Sequence, residues 1–162
     1  MGTAPAAGDA SVLQPIAEEA TAIKRFVDLL KLEQTSLSNG NTDDLLDFAE
    51  QKSELATQLN NLAAQRSALL VAQGFSADRA GVEAWCADHS SEKEAGTSWS
   101  ELLSVAAEAR ELNRLNGELI RMRMQYNTNA LEALRGGKNA LDLYGPDGQS
   151  TPPGHSRIYD AV

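Results

Sequence analysis

A single cysteine, Cys86, excludes an internal disulfide and fits a reducing compartment. No stretch approaches the roughly 18 consecutive apolar residues of a membrane-spanning helix, so no membrane insertion is expected. The start, Met1-Gly2-Thr3-Ala4-Pro5-Ala6, has neither a basic end nor an apolar run, so no signal peptide is read there. Ala6 also stands where a myristoylation site would need Ser or Thr. Positive charge is scarce: 14 Lys and Arg face 23 Asp and Glu, a net −9. That balance argues against nucleic acid and against anionic lipid as partners. Aromatic residues make up only 5% of the chain, too few for an ordinary sheet protein. A soluble, cytoplasmic protein is expected.

Site chemistry is scarce too. His89 and His155 have no companion at metal-ligand spacing, and the Glu-x-x-His pairs of di-iron bundles are missing. Asp43, Asp44 and Asp47 read as a solvated helix start. Cys86 has no base near it in sequence and neighbours Trp85, which suits a buried structural thiol. Gly136-Gly137-Lys138 follows a helix and lacks the earlier glycine of a phosphate loop. No enzyme, metal or cofactor is expected.

What is abundant is helix-forming sequence with a heptad rhythm. Ser11 and Gln14 make a capping box with Pro15 in the first turn, and apolar residues follow in steps of three and four. That seam runs Leu13, Ile16, Ala20, Ile23, Val27, Leu30, Gln34, Leu37, and Asn39-Gly40 ends it. Thr42 is placed to cap a second helix with seam Leu45, Phe48, Lys52, Leu55, Leu59, Leu62, Arg66, Leu69, ended by Gly74. The short turn makes these two helices an antiparallel hairpin. Lys52 and Arg66 occupy the seam two heptads apart, more as snorkelling cations than as functional groups, and Asn113, Asn116 and Asn127 are candidates to answer them. Val82, Trp85 and Cys86 suggest a short helix. Ser98 and Glu101 form a second capping box, opening a long helix from about Trp99 to Arg135.

That long helix carries more apolar surface than a hairpin can cover. One stripe collects Leu112, Leu115, Leu119, Met122, Tyr126, Ala130 and Ala133. A second, about 130° around the cylinder, collects Ile120, Met124, Leu131 and Leu134. Methionine suits an interface that repacks on its partner. The second stripe is therefore either core, covered by the short helix or a second copy of the chain, or a surface offered to another protein's helix. Gly117, mid-helix, costs about 1 kcal/mol against Ala, and close helix approach would compensate. Beyond Gly136-Gly137, Leu141, Leu143 and Tyr144 form an apolar cluster ahead of the turn-forming Gly145-Pro146-Asp147-Gly148. The cluster either folds back on its own helix or anchors a partner.

The expectation is an all-α fold: an elongated antiparallel hairpin in a three-helix coiled-coil bundle, with a short extra helix. Residues 1–10 form a flexible arm, 11–136 the helical domain, and 137–162 a poorly structured tail with a docking motif. Several segments together resemble the FlgN family of flagellar type III export chaperones from Ile16 onward. They are Leu29-Leu30-x-x-Glu33, then Leu112-Asn113-x-x-Asn116-Gly117-x-Leu119-Ile120, then Ala130-Leu131-x-x-Leu134, and Leu143-Tyr144-Gly145-x-Asp147-Gly148-Gln149. The resemblance implies a cytoplasmic chaperone that holds C-terminal helical segments of hook–filament junction proteins, prevents their premature assembly and delivers them to the export apparatus. It implies client contacts at Leu119, Ile120, Met122, Met124, Leu131 and Leu134. It also implies docking on the cytoplasmic domain of the export gate through Tyr144, with Leu141 and Leu143 beside it. The rival expectation is a structural coiled-coil scaffold without clients, a possible homo-oligomer whose tail locks the assembly.

Overall fold

The computed structural model describes residues 11–141, and side-chain surroundings through Gly136. Among the described residues there are four helices and no strand: α1 (Leu13–Ser38), α2 (Leu45–Ala72), α3 (Arg79–Asp88) and α4 (Lys93–Leu141). The all-α expectation holds. Two compact units divide the chain, one ending at Ile120 and the other beginning at Arg121.

In the first unit α1 is the central element. Ser11 Oγ accepts the Leu13 amide at 3.1 Å, but the expected Ser11–Gln14 capping box does not form: Val12 is the N-cap residue, and the Gln14 side-chain amide donates to Glu18 Oε1 at 3.0 Å. Of the seam read from sequence, Ile16, Ala20, Ile23, Val27, Leu30 and Leu37 are buried. Ala22, Leu29 and the carboxylates of Glu19 and Glu33 are buried beside it, so α1 is covered over a wider arc than a two-helix seam requires. Gly40, with φ +81°, ends the helix as expected.

The hairpin partner α2 buries only Leu62 and Leu70 fully, which suits a helix with one face on α1 and the other on solvent. Its start differs from expectation. Thr42 does not cap it; Asp44 is the N-cap residue, and only Asp47 of the three aspartates lies in the first turn. The turn is organised instead by Asn41, whose Oδ1 accepts the Asp43 amide at 3.0 Å. An asparagine amide can close such a turn on its own backbone. Gly74, with φ +85°, terminates α2.

The connection to α3 is tight. The Asp78 carboxylate accepts the Gly81 amide at 3.1 Å and the Ser76 hydroxyl at 2.6 Å, capping the helix. A Cβ on Gly81 would run into the Ser76 carbonyl oxygen. α3 buries Val82 and Trp85, and the Trp85 indole donates to Gln73 Oε1 at 2.7 Å. The predicted short helix and its buried tryptophan are both present.

Three expectations for α4 fail. It begins at Lys93, so Ser98 and Trp99 lie inside the helix and the Ser98–Glu101 capping box does not form. Extending the helix backward lets Ala95 and Trp99 share the core, a larger gain than one cap. It also runs on through Gly136-Gly137 to Leu141, where glycine weakens the helix without removing a backbone donor. Gly117 has nothing within 4 Å of a built Cβ, so no close helix approach explains it. Lys24–Glu101 at 2.7 Å and Lys31–Glu108 at 2.8 Å step one heptad along both helices, so α4 up to Ile120 runs parallel to α1. Both pairs are exposed and fix geometry more than stability.

Candidate functional site

The unusual polar groups of the first unit resolve into structure. Lys52 Nζ lies 2.7 Å from Glu33 Oε1, and Arg66 Nη1 lies 3.0 Å from Glu19 Oε2. The two cations sit two heptads apart on α2, and their glutamates two heptads apart on α1 in the opposite sense. That is the register of an antiparallel hairpin. Asn116 joins from α4, its amide donating to the Leu30 carbonyl at 2.8 Å and to Glu33 Oε2 at 2.9 Å. The expectation that Asn113, Asn116 and Asn127 answer the cations is thus corrected. Glutamates answer them, Asn116 answers a glutamate, and Asn113 and Asn127 are exposed. The Arg66 guanidinium also lies 5.0 Å from the Trp99 ring centroid, a cation–π contact.

This lattice is imperfectly satisfied. Glu19 Oε1, Arg66 Nε and Asn116 Oδ1 are buried without a hydrogen-bond partner. Burial pushes the Glu19 carboxyl above its ordinary range, with Arg66 pulling the other way. Such groups specify which helix faces meet.

Cys86 is half-buried, less than expected. Burial and the nearby Glu83 and Glu92 raise its thiol above the usual value, which keeps it protonated and unreactive. His89 stacks on Trp85 with ring centroids 4.4 Å apart and places Nδ1 2.9 Å from the Trp85 carbonyl oxygen. Among the described residues no group of three His, Cys, Asp or Glu could hold a metal ion. No helix there is long and apolar enough to cross a membrane.

The second unit is different in kind. Met122, Met124, Tyr126, Leu131 and Leu134 are between 57% and 75% exposed. Among the described residues only Leu32, Leu46 and Val71 join them as large apolar side chains so exposed. Of the first stripe read from sequence, Met122, Tyr126, Ala130 and Ala133 are exposed, while Leu112, Leu115 and Leu119 are half-buried. Two polar side chains of this stretch bond along the helix itself. Gln125 Nε2 donates to Asn129 Oδ1 at 2.9 Å, and the Thr128 hydroxyl to the Met124 carbonyl at 2.9 Å. An α4 turn that is well formed yet apolar on its surface is suited to receive another helix.

Of the residues singled out from sequence, Met122, Met124, Leu131 and Leu134 thus share one exposed helical stretch. Leu119 and Ile120 are half-buried at the end of the first unit. Leu141 is the last helical residue of α4, while Leu143 and Tyr144 lie outside the described residues. Sequence reasoning missed Glu19 and Glu33 as buried partners. The signal available was their spacing, which repeats that of Lys52 and Arg66.

The family model described as FlgN protein matches residues 1–152. No curated protein and no solved structure gives a match.

Proposed function

The chain belongs to the FlgN family and has its flagellar export chaperone role, and we propose that its clients are the hook–filament junction proteins, held by their C-terminal helical segments. The observation that carries this reading is the run of exposed apolar side chains from Met122 to Leu134. An unassembled client exposes an apolar helix that would otherwise aggregate or polymerise early. A helix bearing Met122, Met124, Leu131 and Leu134, with Leu119 and Ile120 at its upstream end, substitutes for the client's missing neighbour. Methionine side chains adapt to clients that differ in detail.

Delivery uses a separate element. Tyr144, with Leu141 and Leu143, docks on the cytoplasmic domain of the export gate, and two weak sites in tandem allow handover without very tight client binding. The protein acts in the cytoplasm and is not consumed in any reaction.

Calorimetric titration of the full chain with a junction-protein C-terminal segment tests the client assignment. Saturable binding in one defined ratio is expected. The Met124→Asp/Leu131→Asp variant should lose it with an unchanged helical spectrum. Tyr144→Ala should keep client binding and reduce secretion. Loss of client binding in Tyr144→Ala would refute the division of labour.

A further inference from the structure

The exposed stretch is too wide for a single partner helix. Projected at about 100° per residue, Met122, Tyr126, Leu134, Leu131 and Met124 follow one another around an arc of about 200°. Only Arg135, Thr128, Arg121, Glu132, Gln125 and Asn129 form a polar face. A helix packed on one neighbour needs an apolar stripe of about 100°. Within the arc, Arg123 and Asn127 fall between the Met122–Tyr126 edge and the Leu131–Met124 edge, leaving two apolar edges with a polar line between them. Leu134 closes that line at its C-terminal end.

Charge narrows the occupant. Residues 121–136 carry Arg121, Arg123 and Arg135 against Glu132 alone, a net positive stretch in a chain of net charge −9. Two copies of this stretch meeting face to face would oppose like charges, so the same patch on a second copy is a poor occupant. An amphipathic segment with acidic borders is complementary.

We propose that the second unit's part of α4 is clasped by two amphipathic, acid-bordered helical faces of one partner polypeptide, one on the Met122–Tyr126 edge and one on the Met124–Leu131 edge. This rests on the chaperone reading above and specifies the form its client takes when held. Acidic side chains of the partner meet Arg135 at the border of the second face.

The test uses the full chain with Cys86→Ser and either Met122→Cys or Met124→Cys, each labelled with a polarity-sensitive fluorophore. The probe is the junction-protein C-terminal segment of the calorimetric titration. Blue-shifted emission at both positions on adding the segment is expected. Calorimetric binding with a shift at only one position overturns the two-faced clasp and leaves the client assignment standing. No binding at all removes the client assignment and the clasp with it. A blue shift that grows with chaperone concentration alone identifies a second copy as the occupant and overturns the proposal. Emission already blue without any partner identifies the chain's own tail and overturns it as well. In a parallel arm, Arg135→Glu should weaken segment binding by about fivefold at low salt, and by much less near 0.5 M salt where the Debye length is only a few ångström. Unchanged affinity in that variant rules out an acid-bordered partner.

Discussion

Glu33 and Lys52 meet at 2.7 Å across the α1–α2 hairpin, but they are buried unequally, with the glutamate side chain 2% exposed and the lysine 21%. The difference matters because removing one partner of a buried pair costs most when the survivor cannot reach water. Lys52 can extend its ammonium to the surface along a flexible stem. Glu33 cannot.

Lys52→Met should therefore destabilise the chain more than Glu33→Gln. The first strands a carboxylate that retains only the Asn116 amide, at a cost of about 3 kcal/mol by comparison with broken buried pairs. The second keeps an acceptor for Asn116 and frees a cation able to solvate itself, and about 1 kcal/mol is expected. Urea unfolding followed by circular dichroism measures both. Equal losses would mean that the exposure difference has no energetic consequence.

Glu19 makes the opposite kind of pH prediction from an ordinary salt-bridged acid. Burial raises its carboxyl in the folded chain, and Arg66 only partly opposes this. The folded state therefore binds that proton more tightly than the unfolded state. Its contribution to stability falls as pH rises from the unfolded value through the folded one, and is constant above. Unfolding of the wild type and of Glu19→Gln, compared between about pH 7 and pH 4 around the ordinary glutamate range, should show the wild type gaining on the variant as pH falls. A wild type that loses ground on acidification would show that the Arg66 attraction outweighs burial.

Local repetition made much of this architecture readable. Six of the eight α1 seam positions are buried because a heptad needs only spacing to be recognised. The cations at Lys52 and Arg66 were equally visible. Their partners were not, because Glu19 and Glu33 sit beside the seam and are matched only once the hairpin's register is fixed. Helix starts misled for a related reason: Ser98 and Glu101 satisfy a capping pattern, but burying Ala95 and Trp99 extends α4 past it. Along residues 121–136 the sequence displays apolar periodicity, and periodicity does not distinguish a face for the chain itself from a face for another protein. Exposure falls on both stripes, at Met122 and Tyr126 on one and at Met124, Leu131 and Leu134 on the other, and spacing alone does not assign either of them to the core.

Two glycines should respond in opposite directions to alanine. Gly81 has the Ser76 carbonyl where a Cβ would go, so Gly81→Ala must displace the loop that caps α3. A loss of about 2 kcal/mol is expected, typical of overpacking. Gly117 is exposed, helical and clear of neighbours, so Gly117→Ala should gain about 0.5–1 kcal/mol from helix propensity. Thermal unfolding of the two variants, with midpoints on either side of the wild type, checks both. A destabilised Gly117→Ala would mean that a Cβ at this position meets a neighbour within the fold, contrary to the open space around it.

The exposed stretch should be separable from the core by stability alone. Leu30 is fully buried, and Leu30→Ala should cost about 3 kcal/mol through lost transfer free energy and the cavity left behind. Met124 and Leu131 are each more than half exposed, so a change to Asp removes little packing and is expected to shift stability by less than about 1 kcal/mol. Part of even that small cost comes from the lower helix propensity of Asp, with Arg121 three residues before position 124 and Arg135 four residues after position 131 to offset the new charges. Denaturant unfolding of the double variant Met124→Asp/Leu131→Asp, compared with Leu30→Ala, reads the contrast directly. Cooperative unfolding near the wild-type midpoint is the expected result. A midpoint as low as that of Leu30→Ala would show that these side chains support the fold, and the apolar arc would then be core in solution instead of a surface available to a client.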